Sequence, residues 1–359
     1  MQRKSSAVLL LYGGAGREHE ISCRSAANVL LALNKAGINA LPVGIGKDGI
    51  FRLHPDVSAA IREAGAGALV VHRDGGAVFP GRLCETGCLL SEGGAIPIRC
   101  ALPILHGDRG EDGEIQGLLS AAGIPYIGCD TRAGALCADK SAVKAIASHL
   151  GIPTARWVVP DEKDPERARL AAEKELFYPL FCKPLFLGSS VGASSAPDRE
   201  SFAASYAGAA QYGRVLVEEA VDVACELEVA YIGLSGGICT SPGAVVCDGC
   251  YSYDEKYGEG SRAAVLTDPL AEGRISESAA ALCRRYAERL VSAAGLRDLS
   301  RIDFFLDRRG RVLFNEINTL PGLTEISLYP RLAASAGYPP EILFPRLIAL
   351  AEERGGERP

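Results

Sequence analysis

After a few basic residues the chain offers only a short apolar stretch, Ala7–Leu11, before Tyr-Gly-Gly. That stretch is too short for a signal-peptide core and far too short to span a bilayer, which predicts a cytoplasmic protein with no membrane partner. An excess of positive charge is missing too. Against 44 Asp and Glu stand 38 Lys and Arg, a net charge of −6 that disfavours a nucleic-acid partner. The motif Gly-x-x-x-x-Gly-Lys-Ser/Thr is absent, so any phosphate site must be built from individually placed lysines and a metal. Twelve cysteines are present, but the two suggestive spacings, Cys84/Cys88 and Cys247/Cys250, lie far apart with no neighbouring histidine. A shared zinc or redox role is disfavoured against reduced thiols acting as small hydrophobes, as in Phe181-Cys182-Lys183. Internal repeats and low-complexity tracts are also lacking.

The 359 residues, 48% hydrophobic and 23% charged, exceed one ordinary core and predict two or three globular units. Residues 7–12 read as a buried strand, followed by Gly13-Gly14-Ala15-Gly16, a helix to Lys35, and strands over 39–45 and 101–105. This is the opening of a doubly wound α/β layer. Its dinucleotide fingerprint is broken: a third glycine is missing, and Pro42-Val43-Gly44 stands where an acidic residue belongs. A nicotinamide oxidoreductase is disfavoured accordingly. Residues 46–96 read as a glycine-rich insertion with short β pieces. A second unit begins near residue 131, where Asp139 can cap a helix through Lys140 to Leu150, with strands over 155–159, 179–183 and 214–218. The third carries strands over 226–233 and 243–247, a polar, tyrosine-rich loop over 248–262, a helix over 274–294, a hairpin and two closing helices. The expected boundaries are 1–129, 130–217 and 218–359.

The hairpin is the most informative segment. Residues 302–306 and 311–317 read as strands, and the alternation puts Arg301, Asp303, Glu316 and Asn318 on one face. A short loop is expected to set Asp303 opposite Phe314 and diagonal to Glu316. Two carboxylates and an amide oxygen, without Cys or His, suit Mg²⁺. Lys183 ends an apolar strand, and Gly188-Ser189-Ser190-Val191-Gly192 downstream can turn backbone N–H groups toward phosphate oxygens. Glu218-Glu219-Ala220-Val221 and Glu226 form an acidic segment able to meet a nucleoside, or simply to face water. The loop from His106 to Gly113 follows a buried strand, where open α/β sheets place ligands. Glu18 and Glu20 at a helix start could hold an ammonium. Tyr251 to Tyr257 reads as a lid that would deliver Lys256 to phosphate.

These segments, in order from Gly13 to Leu328, resemble the D-alanine–D-alanine ligases of the ATP-grasp superfamily. The motifs are Gly-Gly…Glu-His-Glu-Ile-Ser, His-Gly…Gly-Glu-Asp-Gly…Gln-Gly, Asp-Lys, Lys-Pro…Gly-Ser-Ser-Val-Gly, Tyr-x-Tyr…Lys-Tyr, Arg-Ile-Asp and Asn-Glu-Ile-Asn-Thr-x-Pro-Gly. The resemblance implies an α/β, three-domain ATP-grasp architecture. An N-terminal Rossmann-like parallel sheet would stand beside two α+β domains that bind nucleotide between them. The implied reaction joins two D-alanines through an acyl phosphate, releasing ADP and phosphate, for peptidoglycan precursors. ATP would be a substrate, with two Mg²⁺ ions (Mn²⁺ as a substitute) on Asp303, Glu316 and Asn318. Lys140, Lys183, Lys256, Ser189, Ser190 and Asn315 would reach ATP, with Glu218, Glu219, Val221 and Glu226 around its nucleoside. Glu20 would bind the first D-alanine's ammonium, and His106 would lie near its carboxylate. Arg301 and the N–H of Gly322 would stabilise the oxyanion, and Ser327 and Leu328 would take the second carboxylate. Ser189 and Tyr257 would complete a bridge to Glu20. Homodimers are common in the family.

Three positions depart from the family pattern: Gly16, Ser120 and the apolar run Leu185-Phe186-Leu187. Related ligases that accept D-lactate or D-serine are the nearest rival reading, and Tyr257 favours an amine acceptor. A non-catalytic binder on the same scaffold is disfavoured by the intact Arg301, Asp303, Glu316 and Asn318.

Overall fold

The computed structural model describes residues 6–83, 86–246 and 264–356. The expected lid over 248–262, with Lys256 and Tyr257, and Cys84, Cys247 and Cys250 lie outside the described residues.

The first unit holds strands β1 (Ala7–Gly13), β2 (Ala40–Ile45), β3 (Phe51–Leu53), β4 (Phe79–Leu83), β5 (Thr86–Ser91) and β6 (Gly94–Pro103). Its helices are α1 (His19–Lys35), α2 (Val57–Gly65) and α3 (Glu114–Ala121). Strand order is β3-β2-β1-β6-β5-β4. Strands β2-β1-β6 run parallel, as expected of a Rossmann-like layer, and β3, β4 and β5 add antiparallel edges to it. The cause is the 46–96 segment, which folds back as hairpins on both edges and adds the unforeseen α2. Period-2 alternation splits β1 between two cores. Val8, Leu10 and Tyr12 pack with Ala26, Leu30 and Leu33 of α1, whereas Leu9 and Leu11 pack with Ile115 and Leu119 of α3. Gly13 has φ +89°, and its N–H donates to Ser22 Oγ at 2.8 Å, turning the chain sharply into α1.

A carboxylate pins the insertion. Glu63 accepts from the Val70 N–H at 3.0 Å and meets His54 Nε2 at 3.2 Å and His72 Nε2 at 2.8 Å. Because the Asp56 N–H donates to His54 Nδ1, the proton of that ring sits on Nε2, facing the carboxylate. The cluster is thus a satisfied hydrogen-bond knot.

Next come α4 (Thr131–Ala138) and α5 (Lys140–His149), capped by Asp130 and Asp139, whose carboxylates each accept two backbone N–H bonds. The central sheet consists of β7 (Trp157–Val158), β8 (Leu180–Pro184), β9 (Ser194–Ala196) and β10 (Val215–Glu219), in the order β7-β10-β8-β9. Helices α6 (Pro165–Ala172) and α7 (Arg199–Ala210) cover one face, burying Leu180, Cys182, Val215 and Val217 against Phe202 and Tyr206. The opposite face is left to Phe181, Lys183 and Glu218.

The third sheet contains β11 (Val223–Ile232), β12 (Ile238–Cys239), β13 (Gly243–Val246), β14 (Ala264–Leu266), β15 (Leu299–Asp307) and β16 (Val312–Asn318). Its order is β14-β13-β11-β15-β16, with β12 alongside β11. Helix α8 (Glu277–Ala294) covers one face, and α9 (Leu328–Ser335) and α10 (Pro340–Gly356) close the chain. Helices α4 and α5, grouped by sequence with the central unit, instead share a core with this sheet. Val143 and Ala147 pack among Leu227, Ile302, Phe304 and Phe314. Strand β10 also runs past the expected boundary at 217. Where the units meet, Asp298 accepts from both Nη atoms of Arg354, at 2.7 and 2.6 Å, and from the Gly128 N–H at 2.9 Å.

Candidate active site

With Ile302 and Phe304 turned into the core beneath α8, Arg301 and Asp303 face the other way. The register pairs Asp303 directly with Glu316 on the neighbouring strand, and Arg301 with Asn318. The expected diagonal is therefore corrected. Phe304, not Asp303, opposes Phe314, and the register shifts between the two pairs, leaving Asn315 as the extra residue of a β-bulge. The bulge turns both Asn315 and Glu316 off the core side. Arg301 Nε and Nη2 donate to the two oxygens of Asp303 at 2.8 and 2.7 Å, and Asn318 Nδ2 donates to Oδ2 at 2.9 Å. Glu228, next to Asp303 on β11, lies 3.2 Å from Arg301 Nε.

Across from this hairpin, the free face of the central sheet presents Lys183 and Glu218, and α5 brings two more ammonium groups, Lys140 and Lys144, up to them. Register sets Leu216 beside Lys183 and Glu218 beside Phe181. Lys183 Nζ lies 2.7 Å from one oxygen of Glu218, and Lys144 Nζ lies 2.6 Å from the other. Lys183 also donates to Asn315 Oδ1 at 3.2 Å. Lys140 is buried, donates to the carbonyl of Leu187 at 2.6 Å, and stands 3.9 Å from Glu316. Burial alone would raise Glu218; Lys144 and Lys183 reverse that and hold it at about 2. Burial depresses the Lys140 and Lys144 ammonium groups. For Lys183 the depressing effect of burial is outweighed by Glu218 and Glu316, and its affinity for a proton rises.

A cavity of about 460 Å³ lies between the two sheets, bounded by Lys140, Phe181, Lys183, Glu218, Asp303 and Glu316. Ser189, Ser190, Glu219, Val221, Glu226 and Asn315 also line it. Ser189 and Ser190 both hold left-handed backbone, φ +53° and +57°, at the loop's mouth. Such strain in non-glycine residues is concentrated at ligand clamps. Glu219 accepts from the Phe177 N–H at 3.1 Å and from Arg156 at 3.3 Å, so its carboxylate is committed to the rim.

The first unit meets the rim of this cavity at Glu18, just before α1, which bonds the cavity-lining Ser189. The bridge expected from Ser189 to Glu20 is not formed. Ser189 Oγ donates to Glu18 Oε1 at 2.5 Å, whereas Glu20 pairs with Lys47 at 2.7 Å and is largely exposed. Glu18 precedes the helix and Glu20 sits in its first turn, where two residues of helix rotate a side chain by about 200°. Gly107 makes the room: a side chain there would run into the Glu18 carboxylate, and its φ is +69°. Arg17 lies over the Tyr212 ring at 4.8 Å, a second tie to the central unit. His106 is buried, with Nε2 2.9 Å from Ser25 Oγ and Nδ1 3.1 Å from the Leu320 carbonyl. Ser25 Oγ also accepts the Leu323 N–H at 3.3 Å, which brings the Gly322 segment to the first unit. Ser327 Oγ bonds Thr324, and Leu328 buries its side chain while opening α9, so its backbone N–H is the group left for a ligand.

Sequence reasoning places Glu18 beside Glu20 but favours Glu20 for the site, and it misses Lys144 and Glu228. For Lys144 a signal exists: it follows Lys140 by one helical turn, on the same face of α5.

Comparison with known proteins identifies the family. Residues 7–129 match the family described as "D-ala D-ala ligase N-terminus", and residues 146–349 match "D-ala D-ala ligase C-terminus". A D-alanine–D-alanine ligase from Sodalis glossinidius is 36% identical over 96% of this chain and 94% of its own length. One from Heliobacterium modesticaldum is 34% identical over 98% and 96%. Among solved structures, D-alanyl-alanine synthetase A from Vibrio cholerae superposes with a TM-score of 0.82 at 30% identity, covering 97% of this chain and 98% of that one. The VanG D-Ala:D-Ser ligase from Enterococcus faecalis gives 0.83 at 28%, covering 96% and 99%. The multi-domain α/β fold is that of an ATP-grasp enzyme, and the chain belongs to the D-alanine–D-alanine ligase family.

Proposed function

We propose that the enzyme joins two molecules of D-alanine at the expense of ATP, forming D-alanyl-D-alanine for peptidoglycan precursors. The observation that carries this reading is one cavity in which Asp303 and Glu316 face Lys140 and Lys183. In the first step a carboxylate oxygen of one D-alanine attacks the γ-phosphorus, the bond to ADP breaks, and an acyl phosphate forms. The amine of the second D-alanine then attacks the acyl carbon, phosphate leaves, and the amine loses a proton. Lys140 and Lys183 lower the repulsion between carboxylate and triphosphate, and Ser189 and Ser190 close over the phosphates. Glu218, Val221 and Glu226 enclose the nucleoside. Glu18, in place of Glu20, holds the first ammonium, with His106 beside its carboxylate. Arg301 and the Gly322 N–H meet the oxyanion of the second step. Ser327 and the N–H of Leu328 receive the second carboxylate.

Asp303, Glu316 and Asn318 form an oxygen-rich donor set, free of sulfur and imidazole, that fits a hard cation. Two Mg²⁺ ions, or Mn²⁺, bound there would offset the charge of the ATP phosphates. ADP and phosphate should appear only when ATP, Mg²⁺ and D-alanine are supplied together; equal turnover with L-alanine would discredit the stereochemical assignment. The likeness to the D-Ala:D-Ser ligase favours D-serine as a second acceptor, and a product assay with D-alanine, D-serine and D-lactate in competition decides between them. A homodimeric, cytoplasmic enzyme completes the reading; sizing by light scattering tests the first part. Among the described residues no helix is long and apolar enough to cross a membrane.

A further inference from the structure

Lys144 does not line the cavity, yet it touches a residue that does. It is fully buried on α5, one turn beyond Lys140, and its ammonium lies 2.6 Å from Glu218 Oε1. The other oxygen of Glu218 lies 2.7 Å from Lys183, whose Nζ faces the cavity beside Asn315. Two buried cations thus share one anion. Burying a lysine without need is costly, because the ammonium loses its water and a one-to-one Lys183–Glu218 pair would already be neutral. The second lysine changes the sign of the group: the trio carries one surplus positive charge, and its open side is the cavity. In a desolvated site such a charge acts on an anion far more strongly than on the protein surface.

Resting on the proposed use of ATP, we infer that Lys144 is a positioning residue for nucleotide phosphate: by occupying one oxygen of Glu218 it leaves the charge of Lys183 available to the ligand. It touches neither substrate nor the reacting atoms. A merely structural lysine would support the fold and leave ligand preference untouched, so charge and packing are separable.

The test is calorimetric titration of the full chain with ADP and with adenosine, comparing K144M and K144M/E218Q with the unaltered protein. K144M neutralises the trio and should weaken ADP binding on the order of tenfold, with adenosine changed less than about twofold. Adding E218Q restores the surplus charge on Lys183; because Glu218 also borders the nucleoside, recovery is read as the ratio of ADP to adenosine affinity, which should return to within about threefold of that of the unaltered chain, and this also covers the case in which K144M alone does not fold. In steady-state kinetics K144M should raise the KM for ATP and leave that for D-alanine in place. If ADP binds K144M as tightly as the unaltered chain, if adenosine weakens as much as ADP, or if the double variant is no better than the single, the inference is overturned. If the unaltered chain binds no adenine nucleotide, the ligase reading falls, and this inference with it.

Discussion

Arg301 and Asp303, two residues apart on one strand, hold each other through two guanidinium nitrogens, at 2.8 and 2.7 Å. The pair sets the expected oxyanion group against the expected metal ligand. With a cation held by Asp303, Glu228 at 3.2 Å would still orient the guanidinium. R301A should therefore cut turnover by about 10²-fold or more, the usual loss on deleting one oxyanion donor, with little change in ATP affinity. Pre-steady-state and titration measurements on the same variant check this; a loss confined to ATP binding would contradict the assignment.

Glu18 and Glu20 make a matched pair for mutagenesis. E18Q removes the charge that accepts the Ser189 bond and should raise the D-alanine requirement on the order of tenfold, as expected for losing a charge-assisted contact. E20Q breaks only an exposed pair with Lys47 and should leave the kinetics nearly unchanged. The reverse order in a D-alanine saturation series would return the ammonium to Glu20.

Asp298 has no exposed side-chain surface and depends on Arg354 for its charge partner. R354A leaves that carboxylate buried with only the Gly128 N–H, and should cost about 3 kcal/mol of stability. Urea unfolding reads this as a fall in midpoint; a shift within error would mean that water replaces the arginine without penalty.

Glu218 titrates at about 2 when folded, against an ordinary value of 4.5. A depressed carboxyl contributes stability that is complete above the unfolded value and vanishes as pH falls through the folded one. Its contribution should fade from about pH 4.5 toward pH 2. Urea midpoints measured down this range should fall less steeply for E218Q than for the unaltered chain, and parallel slopes would reject the assignment.

Much of the fold was legible because its strands are short, apolar and bounded by glycine or proline. Residues 7–12 and the hairpin around Asp303 read directly as strands, and Asp139 announces its helix. What escapes is tertiary. The sequence of 46–96 has weak periodicity, so its antiparallel edges and α2 give no clear pattern. The bulge at Asn315 is invisible to strict alternation, which therefore sets Asp303 against the wrong partner. Glu18 and Glu20 look alike in one dimension; only the start of α1 at His19 and the space above Gly107 distinguish them. Lys144 reads as an ordinary helix lysine because the carboxylate that needs it, Glu218, arrives from the distant strand β10.

The single hydrogen bond from Ser189 to Glu18 has a kinetic corollary. It ties the serine loop that borders the cavity to the carboxylate proposed to hold the first ammonium, so under the proposed function the two openings would move as one. On that reading, whatever lifts the serine loop to let ADP depart would also unfasten the wall that retains the dipeptide, and both exits would share a common gate.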